Sequence, residues 1–235
     1  MGNFDQKVNK FIEIFWEQNG YNKVLQGLQN TLMIAIAGLI IGIIIGTIIA
    51  TVRVLPKYKT LPKVLNAICS FYVALFRGTP MVVQLLVFYY VLLPIIGLKI
   101  TGVQVAMMVF GLNSGAYISE IMRSGIQSVD PGQMEGGRSL GLSYVQTMKD
   151  IILPQAIKNI LPALGNEFIV LIKETSILGY VAIVDLTKVS DFVISRIFEA
   201  LAPLLGTALI YYVIVKILTL GLNALERRLR QSDRR

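Results

Sequence analysis

Histidine is absent from this 235-residue chain, and cysteine occurs once, at Cys69. A zinc site built from imidazoles or paired thiolates is excluded on ligand count, and an internal disulfide would need a second cysteine. Charge is scarce too: 15% of residues are charged, against about a quarter in soluble domains. There is no GxxxxGK(S/T) phosphate loop, so the chain has no such cradle for ATP. With no histidine, no metal-ligand cluster and no paired intramembrane aspartate motif, the sequence offers no catalyst and reads as a non-enzyme with no cofactor of its own.

Apolar residues are what the chain has in quantity. They make up 54% of it, and the mean hydropathy is +0.66. This describes an all-α integral membrane protein. A net charge of +8 could suggest nucleic acid, but the basic residues fall in short clusters beside apolar runs. That is the pattern of topology signals rather than of a phosphate-binding face, so no nucleic-acid partner is expected.

The sequence predicts five spans. The first, over 28–52, is long enough to cross ~30 Å of hydrocarbon. Its Gly38, Gly42 and Gly46 share one face, which suits close packing against a neighbour in the bundle or in a second subunit. Residues 61–98 are too long for one upright helix. They are read as a kinked segment over 61–76, a break at Arg77–Pro80 and a span over 81–96, because Pro80 lacks a donor and biases the preceding residue away from helix. Further spans are expected over 104–121, 157–172 and 201–222. Were 61–76 a span of its own, the count would be six.

Lysine and arginine set the expected orientation. Arg53, Lys57, Lys59 and Lys63, then Arg123, Arg138, Lys149 and Lys158, then the tail 226–235 fall on one side with five spans, which makes that side cytoplasmic and the N-terminus external. Residues 1–20 carry Phe4, Val8, Phe11, Ile12 and Phe15 at helical spacing. They read as an amphipathic helix lying in the membrane interface or packed on neighbouring protein.

A polar insert, 130–154, interrupts the transmembrane region of 21–225. Asp130 is a suitable N-cap, Pro131 suits the first helical position, and Gln133 can reach back from the third. Gly141 can close that helix in the left-handed conformation. Ser143 and Gln146 form a second capping pair, starting a short helix toward Leu153 that Pro154 ends or kinks. Gly136 and Gly137 leave a bare surface for another protein's groove, or the whole unit packs on its own bundle.

The order Glu135, Gly136, Gly137, Gly141, Ile151, Leu153, Pro154 closely resembles the EAA loop of permease subunits of ATP-binding-cassette importers. That pattern runs Glu, two small residues, three others, Gly, nine others, Ile, any, Leu, Pro. Here glycine replaces both alanines, a change that slightly weakens the helix. FRGTPMVVQLLVFYYVLLP (76–94), residues 114–143 and residues 160–178 are similar to the polar amino-acid branch of the histidine, glutamine and arginine type, and the resemblance covers about 20–225. It implies a type I permease core of about five transmembrane helices in the cytoplasmic membrane, in contact with membrane lipid. It also implies that Glu135, Gly136, Gly137, Arg138, Gly141 and Pro154 belong to a coupling helix docked on an ATPase subunit. Two permease chains, identical or related, would pair with two ATPase subunits that bind ATP and Mg, and an extracytoplasmic binding protein would deliver the substrate.

An ionisable residue at mid-membrane depth costs ~2.5 to 3.5 kcal/mol on insertion scales and marks a functional site by default. Glu167 is such a residue, beside Asn166. Asn113, Ser114 and Tyr117 form a second polar cluster. These five are the candidate substrate-binding residues, with Glu167 facing the cationic end of a basic amino acid (arginine, lysine or histidine) and Asn and Ser groups together with backbone N–H groups at a broken helix holding its carboxylate. Alternatively Glu167 pairs inside the bundle, and Asn113 and Tyr117 only bind neighbouring helices. Arg77 reads as orienting the helix break or reaching to the interface. Glu120 and Arg123 read as a local pair. A secondary, ion-coupled amino-acid transporter could use the same acid but has no need of a docking unit; an importer for glutamine or cystine is the other alternative.

Overall fold

The computed structural model describes residues 6, 9, 10, 12–14, 16, 20–55 and 60–231, and all the regular structure among them is helical. The helices in chain order are α1 (Gly20–Val54), α2 (Thr60–Gly78), α3 (Met81–Ile96), α4 (Gly102–Gln127), α5 (Pro131–Ser139), α6 (Tyr144–Thr147), α7 (Leu153–Glu174), α8 (Leu186–Ile197) and α9 (Leu201–Gln231). Of the N-terminal amphipathic pattern, Phe4, Val8, Phe11 and Phe15 lie outside the described residues, as do Lys57 and Lys59 and, in the tail, Arg234 and Arg235.

Among the described residues three helices are long and apolar enough to cross a membrane unaided, namely α1, α4 and Leu201–Leu229 of α9. The pair α2 and α3 counts as a fourth crossing if its two halves, bent by 106°, are one span. The bend falls at the expected break, where Thr79 and Pro80 separate the two helices. The remaining expected span, 157–172, lies inside α7, whose 22 residues cover about 33 Å. Lys158, Glu167, Lys173 and Glu174 make it too polar to stand alone in lipid. It is instead held by protein, against α4, α1 and α9.

The closest helix pair is α1 with α4, and glycine makes it possible. A Cβ on Gly38 would meet the Phe110 Cβ at 2.9 Å, and one on Gly42 would meet Ser114 Cβ and Oγ at 2.8 Å. A Cβ on Gly46 would lie 2.7 Å from Ile118 Cγ2. In return Gly111 and Gly115 of α4 receive Ile41 and Ile45 of α1. The glycine face expected to meet either a bundle neighbour or a second subunit therefore meets α4 of the same chain, where small residues let two backbones approach. Isoleucines 36, 40, 44 and 48 line the opposite, exposed face of α1.

Around this pair lies the main core, with Ile34, Leu85, Phe110, Leu171, Ile172 and Leu178 at 1% exposure or less. At the end that carries the N-terminus of α1, Asp185 caps α8 by accepting from Thr187 N and Lys188 N, both at 2.9 Å. Asn30 Nδ2 donates to Val184 O at 2.8 Å, so α1 and the start of α8 are tied together.

Proline is absorbed by the same device twice. Leu93–Pro94 follows a π-helical turn at Phe88–Leu92, and Leu153–Pro154 follows another at Met148–Ile152. A proline ring crowds the carbonyl four residues earlier and supplies no N–H; widening the preceding turn moves that carbonyl aside. Pro154 therefore does not end the helical path from Tyr144, which corrects the first of the two expectations for it. The path runs through the π turn into α7.

Candidate functional site

A cavity of about 470 Å³ opens where the α2–α3 break faces α4 and α7. That is within the size range of small-molecule sites, roughly 300 to 1,000 Å³. Thr79, Pro80, Met81 and Val82 come from the break, Asn113 and Tyr117 from α4, and Glu167, Val170, Leu171, Glu174 and Ile177 from α7 and the 3₁₀ turn after it.

Glu167 is 8% exposed, and its Oε1 accepts a hydrogen bond from Ser114 Oγ at 2.9 Å. A neutral hydroxyl is thus its observed partner. Glu174, seven residues on, lines the same cavity, since residues i and i+7 lie on one helix face. Both charged side chains lining the cavity are therefore acids.

The break itself is held by two buried amides. Gln84, 7% exposed, donates through Nε2 to Phe76 O at 2.8 Å and toward Thr79 O at 3.0 Å and Thr79 Oγ1 at 2.8 Å. Asn113, also 7% exposed, donates through Nδ2 to Gln84 Oε1 at 2.9 Å and to Phe76 O at 3.4 Å. Thr79 Oγ1 donates to Leu75 O at 2.8 Å. The last carbonyls of a helix have no partner within it, and here side chains from three places supply them.

Of the five candidate substrate residues, Glu167, Asn113 and Tyr117 line the cavity, and Ser114 stands behind Glu167, fully buried. Asn166 is exposed and outside the cavity lining, because one helical step turns it about 100° from Glu167. Arg77 stacks over the Tyr117 ring, 5.3 Å from its centroid. Gln84 and Glu174 were missed from the sequence. Glu174 was findable from its spacing to Glu167, and Gln84 from its isolation as an amide inside MVVQLLVFYY.

At the far end of α4, Glu120 accepts from Arg123 Nη2 at 2.7 Å and Nε at 3.0 Å, as expected of a local pair. Arg53 of α1 adds a second ion pair to Glu120.

The insert is capped largely as predicted, except that Asp130 takes Gly132 N alone and forms no capping box with Gln133. Asp130 Oδ1 accepts from Gly132 N at 2.8 Å, with Pro131 at the first helical position. Gly141 takes φ +85°, and Leu142 N donates to Gly137 O while Gly141 N donates to Arg138 O, both at 3.1 Å. This is a Schellman closure. Arg138 Nη1 donates to Leu142 O at 2.9 Å, bracing the turn. Ser143 and Gln146 form the reciprocal capping box. The two glycines part company, which corrects the expectation that both are bare. Gly136 has nothing within 4 Å of where a Cβ would sit, whereas Gly137 is buried and its Cβ would lie 2.6 Å from Thr147 Cγ2. Glu135 is exposed, and Leu140 and Val145 project with 84% and 71% exposure.

Three comparisons bear on this arrangement. The arginine transport system permease protein ArtQ of Bacillus subtilis is 40% identical over 210 residues, which cover 89% of this chain and 94% of that protein. The probable glutamine ABC transporter permease protein GlnM of the same organism is 37% identical, over 91% of this chain and 96% of that one. The crystal structure of an amino acid ABC transporter with histidines superposes with a TM-score of 0.84 at 37% identity, covering 92% of this chain and 98% of that one. Residues 38–231 match the family described as the binding-protein-dependent transport system inner membrane component. The chain belongs to that family and has the type I fold of ABC importer permeases.

Proposed function

We propose that this chain is the membrane pathway of an ATP-driven importer for a basic amino acid. The observation that carries the reading is the charge of the cavity: Glu167 and Glu174 both line it. A cationic side chain would face these acids, Glu167 being aimed by Ser114. The substrate's carboxylate would lie at the start of α3, where Met81 and Val82 line the cavity and the first N–H groups have no partner within the helix. A broken transmembrane helix is a recurrent place for such binding. The ArtQ relative is named for arginine and supports the same class. GlnM is named for glutamine, which makes glutamine the second reading.

In this proposal α5, the Gly141 turn and α6 dock on an ATPase subunit. Leu140 and Val145 offer exposed apolar contacts beside Glu135 and the bare Gly136. ATP and Mg are held by that partner. Two permease chains, identical or related, two ATPase subunits and an extracytoplasmic binding protein complete the machine; the family description supports the last of these by its words binding-protein-dependent. It sits in the cytoplasmic membrane with the insert and the C-terminus inside and the N-terminus outside. Family membership leaves the ion-coupled reading without support.

The test is purification with the associated ATPase subunits and reconstitution in liposomes with the binding protein. Arginine, lysine or histidine should stimulate ATP hydrolysis and be taken up. Stimulation by glutamine alone would replace the basic reading with the second one.

A further inference from the structure

The apolar helices α2 and α3 meet at a bend of 106°, where the helical hydrogen-bond ladder is interrupted. Backbone carbonyls freed at the end of α2 are buried or partly buried, where an unpaired polar group costs several kcal/mol. Phe76 O and Thr79 O would be such groups, and both accept from the Gln84 amide at 2.8 and 3.0 Å. Gln84 stands on the first turn of α3, so its side chain reaches back across the break and ties the two halves together. Its remaining atom, Oε1, accepts from Asn113 Nδ2 at 2.9 Å, and that bond fixes which way the amide points. Gln84 is buried and does not line the cavity, while Thr79, Pro80, Met81 and Val82, the residues it positions, do.

Asn113 and Ser114 are consecutive in α4, and each serves a different wall. Asn113 steadies the break through Gln84, and Ser114 holds Glu167. One helix segment thereby sets the distance between the two sides of the cavity.

We infer that Gln84, oriented by Asn113, is the positioning residue of the substrate cavity. It ties the α2 carbonyls of the break and so fixes the Thr79–Val82 wall relative to Glu167. The amide nitrogen of Asn113 is engaged by Gln84 and Phe76, so that nitrogen acts on the cavity through the wall it steadies. This inference rests on the reading of the cavity as the amino-acid site.

The experiment uses the full chain with its ATPase subunits and binding protein in liposomes. It compares wild type with Gln84→Met, which keeps the volume but removes both donors, and with Gln84→Asn, which keeps the amide on a shorter stem. Uptake is measured against concentration for the amino acid that most stimulates the wild type. The decarboxylated amine of that amino acid serves as competitor. Gln84→Met should raise KM about tenfold with the maximal rate unchanged, the order of one or two lost hydrogen bonds. It should also narrow the preference for the amino acid over the amine, because the wall that meets the carboxylate has moved. Gln84→Asn should fall between the two.

An unchanged KM and preference in assembled Gln84→Met would overturn the inference, as would a fall in maximal rate alone. If Gln84→Met does not assemble, the same readings on Gln84→Asn decide: a raised KM supports the role and an unchanged one overturns it. A wild type that prefers a neutral amino acid defeats the basic-substrate reading, while the Gln84 comparison proceeds with that substrate.

Discussion

Ser114 Oγ and Glu167 Oε1 lie 2.9 Å apart, joining the middle of α4 to α7 inside a helix bundle. Ser114 can reach that place because Gly42 of α1 gives it room from behind, with only 2.8 Å between Ser114 and the position a Cβ would take. A helix-packing face and a cavity acid are therefore parts of one arrangement.

Replacing Glu167 by Gln keeps the shape of the side chain and removes its charge. Loss of a charge-assisted contact of ~1.5 to 3 kcal/mol should lower the apparent affinity for arginine or lysine about tenfold to a hundredfold. Substrate-stimulated ATP hydrolysis in liposomes is the measurement. Normal stimulation by both amino acids in Glu167→Gln would remove Glu167 from the site.

Gly42→Ala should act on the cavity from the far side of α4. The added methyl would press on Ser114 and pull its hydroxyl from Glu167. Uptake by Gly42→Ala should then be impaired in the same sense as by Ser114→Ala, and the two changes together should cost less than the sum of their separate effects, as coupled neighbours do. Strict additivity in that double-mutant cycle would show the two positions to be independent.

The adjacent glycines of the insert should respond in opposite ways to alanine. Gly136→Ala meets open space and gains helix propensity of up to ~1 kcal/mol, so assembly with the ATPase should hold or improve. Gly137→Ala drives a methyl into Thr147 and should loosen the hairpin, with rescue by Thr147→Ser, which removes the crowded Cγ2. Co-purification of the ATPase with each variant reads this out. Equal tolerance at both positions would contradict the packing.

Gly141→Trp should uncouple the insert. Its φ of +85° is strained for any side chain, and the Schellman bonds of Leu142 and Gly141 depend on it. The expected result is loss of ATPase assembly, or ATP hydrolysis without uptake; a fully coupled Gly141→Trp would count against docking through this turn.

Two ion-paired sites of unlike setting offer a comparison within one molecule. Glu120 joins Arg53 and Arg123 with side chains 17%, 16% and 30% exposed, whereas Lys188 and Asp191 are 42% and 59% exposed. Glu120→Ala leaves two guanidinium groups facing each other and should destabilise by about 1 to 3 kcal/mol. Asp191→Ala should cost about 0 to 1 kcal/mol. Thermal unfolding of the purified complexes gives the order, and equal shifts would refute the distinction.

Local chemistry was legible in the sequence wherever a few neighbouring residues decide the outcome. Asp130, Gly141 and the Ser143–Gln146 pair each control backbone groups within four positions, and each stands as its residue type dictates. Likewise the break at Pro80 and the apolar runs of α1, α4 and α9 follow from the chain alone. Which distant groups meet depends on how the helices pack. Gln84 and Phe76 close the break together with Asn113, 29 and 37 positions further along, and Gly137 differs from Gly136 because Thr147 packs on one of them. Hydrogen bonds and van der Waals contacts act over a few ångströms of space, whatever the separation along the chain. The apolar helices, the caps of the insert and an acid within an apolar run follow from the order of residues along the chain; packing of α1 on α4 and of α7 on α4 set Ser114 behind Glu167 and brought Glu167 and Glu174 to one cavity.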